Sequence, residues 1–188
     1  MIDKGTSFLK SKLKRVSYEE FYIESKEKFE FAWEVCNTKN SVGKEDFIPL
    51  NKLNMGSFGR GVLVQHKKNK TTYAMKILEK EDIVKQGILK KFLNENRILQ
   101  ASTFPFIHHV VYHFKDSKNV YLLFEHKLST DATFSNLTRF EKLNEKVCRF
   151  YTAQVILALE YLHHVGIIYR DLIPENILLD SRGFIKIR

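Results

Sequence analysis

Aromatic and aliphatic positions along this chain change their spacing several times, and each change marks an element. Tyr18, Tyr22, Phe29 and Trp33 recur at helical spacing, which predicts an amphipathic helix over 18–34. Ser17 and Glu20 in front of it have the spacing of a capping box. Strand-like patterns follow at 47–53, 61–66 and 71–78, the last two separated by the polar turn 67–70. A short helical turn is predicted at 82–86 and a longer helix at 88–100. Ile88, Leu89, Phe92, Leu93, Ile98 and Leu99 form its expected inward face, and Glu95 falls on that face. Residues 107–114 and 120–125 read as a hairpin across 115–119, and 131–137 as a short helix. A long helix is predicted over 144–165, ended by Gly166. Its second half, 155–162, is apolar nearly all round and therefore expects burial on several sides. The turn 180–183 joins two last short strands.

Composition narrows the class without deciding it. The 188 residues are 44% hydrophobic, spread evenly, and no apolar run approaches the ~20 residues of a membrane span. The first residues lack the apolar core of a secretion signal and lack a glycine at position 2 for myristoylation. Cys36 and Cys148 show no metal or redox spacing and read as two reduced thiols of a cytoplasmic protein. The formal charge is +9, partly from the run Lys10, Lys12, Lys14 and Arg15. That run suits a flexible, solvated N-terminus over residues 1–16; nuclear import or an acidic surface is the alternative. The remaining basic residues lack interleaved aromatics, which argues against nucleic-acid binding.

Chemistry concentrates in Tyr169-Arg170-Asp171-Leu172-Ile173-Pro174-Glu175-Asn176. Asp171 and Asn176 lie five residues apart in a loop held by Pro174, a spacing that can aim both side chains into one cleft. A carboxylate there can orient a hydroxyl and accept its proton, and an amide carbonyl can hold a metal ion. Upstream, Met55-Gly56-Ser57-Phe58-Gly59-Arg60 leaves room for backbone N–H groups to approach phosphate oxygens. Ala74-Met75-Lys76 follows on a strand, and Glu95 stands nineteen residues after Lys76. An inward carboxylate needs a cation, and Lys76 is the candidate.

The order glycine loop, lysine, glutamate, catalytic loop resembles the protein kinase fold. Gly56-Ser57-Phe58-Gly59-Arg60, Tyr73-Ala74-Met75-Lys76-Ile77-Leu78, Asn94-Glu95-Asn96-Arg97-Ile98-Leu99-Gln100, Phe104-Pro105-Phe106 and Tyr169-Arg170-Asp171-Leu172 resemble the cAMP-dependent protein kinase catalytic subunits, of the AGC-type serine/threonine kinases. The likeness covers roughly residues 17–188. It implies an α+β fold: an antiparallel, β-rich N-lobe over 45–125 with one main helix, then the beginning of a helical C-lobe over 126–188. The segment 17–44 would be an outer amphipathic helix and linker. The resemblance further implies ATP and Mg2+ as cofactors. Asn54, Gly56, Ser57, Phe58 and Gly59 would form the phosphate loop, with Lys76 held by Glu95. Ala74 and Leu178 would enclose the adenine, and Phe124, Glu125, His126 and Lys127 would be gatekeeper and hinge. Asp171 would be the catalytic base, Asn176 a magnesium ligand, and Glu175 a contact for a basic side chain of the substrate. Leu99, Val110 and Tyr169 would form a hydrophobic spine. A protein substrate with basic residues near its serine or threonine is implied, and a regulatory subunit is a further candidate partner.

Four departures accompany the match. Asn54 stands where the family has its first loop glycine, and Asn tolerates positive φ. Gly61 replaces the valine that covers adenine, removing about 1.5 kcal/mol of apolar burial, or roughly tenfold in affinity. Ile173 replaces a lysine that neutralises the transferring phosphoryl group. The match runs to Arg188, after which the family's Asp-Phe-Gly would follow. The expectation is a kinase of the cAMP-dependent type whose residues 1–188 alone are inactive. The competing expectation is a truncated, pseudokinase-like binding protein that transfers nothing.

Overall fold

A computed structural model describes residues 17–35, 42–53, 59–125, 128–136 and 142–188, with the backbone alone at 128–132. Helix α1 runs Tyr18–Val35. Its start is the predicted capping box: Glu20 N donates to Ser17 Oγ at 3.1 Å, and Ser17 N donates to the Glu20 carboxylate at 2.9 Å. Strands β1 (Phe47–Leu53), β2 (Arg60–His66) and β3 (Thr72–Glu79) follow, then helices α2 (Lys80–Lys85) and α3 (Leu89–Ala101). Strands β4 (Val110–Lys115) and β5 (Asn119–Glu125) complete an antiparallel sheet of order β1-β2-β3-β5-β4. A second antiparallel sheet, β6-β7-β8, uses Leu128–Thr133, Ile177–Asp180 and Ile185–Ile187. Helix α4, Glu145–His164, lies between β6 and β7 in the chain. None of the helices among the described residues is long and apolar enough to cross a membrane.

Period-two alternation in β3 and β5 divides the first sheet's two faces. Tyr73, Met75, Tyr121 and Leu123 point to one side, where they join Phe47 and Val64. Leu78, Leu122 and Phe124 point to the other, where Val110, Ile83 and, from α3, Phe92 and Leu99 cover them. Ala74 is paired with Phe124 and Lys76 with Leu122, so Lys76 leaves the sheet on the α3 side.

A separate core joins α1, α4, the segment 101–107 and the second sheet. Phe104 stacks on Tyr161 with ring centres 4.4 Å apart, and both are nearly inaccessible. Helix α1 contributes to this core: Tyr22 and Phe29 are buried in it, and the Tyr22 hydroxyl donates to Leu157 O at 3.1 Å. Trp33 is its anchor to α3. The Arg97 guanidinium lies 4.0 Å from the centre of the Trp33 ring and donates to the Trp33 carbonyl at 2.8 and 3.1 Å.

Three expectations change. Residues 131–133 are strand, not helix, because Leu128 and Thr133 pair with Asp180 and Leu178 of β7. That pairing partner lies more than 40 residues away and overrides local propensity. On α3, Ile88, Phe92 and Leu99 pack inward, but Leu89 and Leu93 are about half exposed and Glu95 is exposed. The docked face is narrower than the apolar pattern. Helix α4 is not buried all round: Ala158, Tyr161 and Leu162 are enclosed while Ile156 is 57% exposed. Residues 1–16, the linker 36–41 and His126 and Lys127 of the expected hinge lie outside the described residues.

Candidate nucleotide site and catalytic loop

Strand β8 of the second sheet is tied to the segment that leads into β4. Ile187 N donates to Phe106 O at 2.8 Å, His108 N donates to Ile187 O at 2.7 Å, and Ile107 bridges Ile187 in parallel. Gln154 secures the same strand from α4, accepting from Ile185 N at 3.0 Å while its own amide donates to Phe150 O. This double hold fixes Arg188, which follows β8 directly.

The loop 169–176 folds onto that residue. Tyr169 donates its hydroxyl to Arg188 O at 2.6 Å. Burial, with Asp171 nearby, pushes the Tyr169 hydroxyl up to about 12, so it stays protonated as a donor. Arg170 sits at φ 67, a left-handed conformation that turns the chain sharply before Asp171. Pro174 opens a single 3-10 turn over Pro174–Asn176. Asn176 then donates its amide to the Asp171 carboxylate at 2.8 Å and to Asp171 O at 2.9 Å. The predicted convergence of Asp171 and Asn176 is therefore present, as one hydrogen-bonded unit with the Asp171 carboxylate solvent-accessible. Glu175 is exposed and accepts from Ser135 Oγ at 3.0 Å.

The carbonyl groups of Asn176 are hydrogen-bonded to Arg188 in this arrangement. Its Oδ1 accepts from Arg188 Nε at 3.3 Å, and its backbone carbonyl accepts from Arg188 N at 3.1 Å. Among the described residues, no cluster of three or more His, Cys, Asp or Glu could hold a metal ion. An amide oxygen beside one carboxylate is a partial donor set of the kind that magnesium completes with waters and substrate phosphates.

Lys76 is half-buried on β3. Desolvation holds its pKa below the usual lysine range; Glu95 opposes that shift and Arg188 adds to it. Glu95 acts at a distance, because no Lys76–Glu95 ion pair forms within 4.0 Å. The expected internal ion pair is thus corrected: with α3 docked through Ile88, Phe92 and Leu99, the Glu95 carboxylate stays in solvent. Asn54, Gly56, Ser57 and Phe58 lie outside the described residues. Gly59 is described, at φ 92, where a Cβ would stand 2.7 Å from Ile77 O. Ala74 is buried and Leu178 half-buried; Glu125 closes β5 at the surface. Of the spine residues, Leu99 and Val110 share one core, and Tyr169 packs on the other.

Two residues near the site carried no local signal in the sequence. Arg188 follows a short strand and reaches Asn176 only through the fold. His108 is buried, stacks on Phe124 at 4.2 Å, and has no partner for Nε2. Burial, and then the charges of Lys186, Arg188 and Lys76, lower its pKa to about 3.

The sequence of residues 47–188, which holds the sheet with its lysine and the Asp171–Asn176 loop, matches the protein kinase domain family. The chain belongs to the protein kinase family. It is similar to the cAMP-dependent protein kinase catalytic subunit 2 of Drosophila melanogaster, at 42% identity over 159 residues, 85% of this chain and 45% of the relative. It is 44% identical over 150 residues to the cAMP-dependent protein kinase catalytic subunit of Schizosaccharomyces pombe, 80% of this chain and 29% of that protein. The serine/threonine-protein kinase sgk-1 of Caenorhabditis elegans is 41% identical over 141 residues, 74% of this chain and 30% of the relative. The chain thus spans less than half the length of these relatives. The likeness is to serine/threonine kinases of the cAMP-dependent type.

Proposed function

We propose that this chain carries the nucleotide-binding half of a serine/threonine kinase of the cAMP-dependent type, and that residues 1–188 by themselves bind ATP weakly and transfer no phosphoryl group. The observation that carries the reading is Lys76: a half-buried cation with no carboxylate of the described residues in an ion pair within 4.0 Å, facing the side of the sheet that α3 covers. A desolvated ammonium without a counterion favours an anion. The phosphates of ATP would be held by Lys76 and the backbone around Gly59. Ala74 and Leu178 would flank the base, with Glu125 at the edge. ATP would supply the phosphoryl group. Asp171 would orient a hydroxyl, and its accessible carboxylate supports that assignment.

Two features argue for inactivity. Ile173 places an exposed aliphatic side chain where the resemblance implies a cation. Asn176 has its amide engaged by Asp171 and Arg188 rather than free for a metal. Loss of one preorganised charge stabiliser costs ~10²–10³ in rate, and two would cost roughly 10⁴ or more if independent. A protein substrate with basic residues near its serine or threonine, contacted through Glu175, and a regulatory subunit belong to the same proposal. A cytoplasmic site of action fits it, with nuclear import through the basic run 10–15 as the variant. The second reading is a non-catalytic binding protein, favoured by the engaged state of Asn176.

Radiolabelled phosphate transfer to a basic serine peptide, run beside Asp171→Asn, separates the readings. No transfer is expected from either chain. Transfer that Asp171→Asn removes would refute inactivity and establish the catalytic assignment. Calorimetric titration with ATP should show binding that Lys76→Met weakens; an unchanged affinity would remove Lys76 as a phosphate ligand.

A further inference from the structure

We infer that Ser17 is a phosphorylation site for a serine kinase that reads basic residues, and that the capping box of α1 is the gate on it. The modifying enzyme is a separate protein, so nothing here depends on whether residues 1–188 bind ATP. The sequence singles out the position. Lys14 and Arg15 stand three and two residues before Ser17. Among the serines and threonines of the chain, Ser17 alone has Lys or Arg at both of those places. Two cations spaced so before a hydroxyl suit a substrate groove lined by carboxylates, where each makes charge-assisted hydrogen bonds. The basic run 10–15, to which the kinase reading gives no part in binding or transfer, thereby gains one.

Ser17 is exposed, so a second protein can reach it, but its hydroxyl is held. Ser17 Oγ accepts from Glu20 N at 3.1 Å, Ser17 N donates to the Glu20 carboxylate at 2.9 Å, and Ser17 O accepts from Phe21 N at 3.0 Å. The next residue is anchored as well, since the Tyr18 hydroxyl donates to the Glu160 carboxylate of α4. An acceptor hydroxyl must stand in line with the transferring phosphorus, clear of its own neighbours. The box and the Tyr18 anchor therefore open first, as a helix end does at low cost. Ser17 Oγ then bonds to the γ-phosphorus of a nucleoside triphosphate, and the bond from that phosphorus to its bridging oxygen breaks. The diphosphate leaves with that electron pair, and the hydroxyl proton passes to a carboxylate of the modifying kinase. The product carries about −1.5 to −2 charge at the N-terminus of α1, where backbone N–H groups and the helix dipole favour it. Glu19 and Glu20 repel it, so the Glu20 carboxylate gives up Ser17 N and the phosphate caps the helix in its place.

The test incubates the intact chain with a purified serine kinase selective for basic peptides and radiolabelled ATP, and locates the label by mass spectrometry. The wild type should be labelled at Ser17. Lys14→Ala/Arg15→Ala should lower kcat/KM for that residue about tenfold or more, the loss expected for one charge-assisted contact or two. Glu20→Ala and Tyr18→Phe should each speed labelling of the folded chain about fivefold, the shift toward an open first turn expected for a lost cap or anchor. In a peptide of residues 10–24 neither change should speed it, because so short a helix is marginal in water and there is no gate to open. Glu20→Ala should also speed amide exchange at Glu19 and Phe21 in the unmodified chain and not in the phosphorylated one.

Label confined to other residues would overturn the site, and so would a Lys14→Ala/Arg15→Ala chain labelled at Ser17 as fast as the wild type. Equal effects of Glu20→Ala and Tyr18→Phe in chain and peptide would overturn the gate. Exchange sped equally before and after phosphorylation would overturn the handover from Glu20 to the phosphate.

Discussion

Lowering the pH from about 7 to about 5 protonates histidines in the unfolded chain, but the folded chain keeps His108 neutral. His108 is buried against Phe124, its Nε2 has no partner among the described residues, and the Lys186, Arg188 and Lys76 charges oppose its protonation. Its pKa falls from 6.5 to about 3 on folding, with burial the leading cause. Between those values the unfolded state binds a proton that the native state does not, so stability rises with pH and is lost on acidification. At about pH 5 the cost is about 2 kcal/mol, and below both values it approaches roughly 5 kcal/mol. A domain of this size has a total stability of about 5–15 kcal/mol, so this one ring can decide whether the chain survives at pH 4.

Urea unfolding of the wild type and His108→Leu at both pH values isolates the effect, because other titrating groups are common to the two chains. The variant should match or exceed the wild type near pH 7, since a buried nitrogen without a partner is replaced by an apolar group. Near pH 5 it should be more stable by about a further 2 kcal/mol. Added salt should change that difference little, because desolvation rather than exposed charge causes it. Parallel pH profiles for the two chains would refute the reasoning.

Three further outcomes follow from the geometry. Arg97→Met removes two hydrogen bonds to Trp33 O and the ring contact; it should cost about 2 kcal/mol and change the emission of Trp33, the chain's single tryptophan. Gly59→Ala meets Ile77 O at 2.7 Å at φ 92, whereas Gly183→Ala meets open space at φ 83; thermal melts should show the second costing about 1 kcal/mol and the first clearly more. Ser17→Ala should cost about 1 kcal/mol and fray α1, read by hydrogen exchange at Glu19, Glu20 and Phe21, with Glu20→Ala non-additive because the two side chains act as one box.

Much of this architecture was readable from local pattern. Ser17 and Glu20 announced α1, Asn144 and Gly166 bracketed α4, and the alternation of 73–78 set which face of β3 carries Lys76. Each of those signals is satisfied by neighbours in the chain: Asn144 Oδ1 accepts from Val147 N, three residues on. The misread elements depended on distant partners. The strand over Leu128–Thr133 exists because β7 arrives beside it. The apolar residues of α3 outnumber those that dock, and nothing in a 3.6-residue period says which of Phe92 and Leu93 will face the sheet. The loop 169–176 was legible as a unit, since Asp171 and Asn176 bond within five residues. Arg188 was not, because its contact with Asn176 follows from the pairing of Ile187 with Phe106 and His108, far away in the chain.

Glu95 shows how that same pairing sets the resting electrostatics. A carboxylate on α3 would neutralise Lys76 only if the helix brought it within contact, and the helix instead rests on Ile88, Phe92 and Leu99 with Glu95 in water. A pair separated by solvent contributes about 1 kcal/mol or less. Arg188 lowers the Lys76 pKa while Glu95 raises it. The net field on Lys76 is therefore set by a strand end and by a helix. Glu95→Gln should leave stability nearly unchanged and should tighten, not weaken, binding of ATP in EDTA, because it removes a repulsive charge without breaking a contact. Calorimetry on Glu95→Gln decides it: a tenfold loss of affinity would mean that the bound state draws Glu95 onto Lys76, and that α3 rotates when the anion enters.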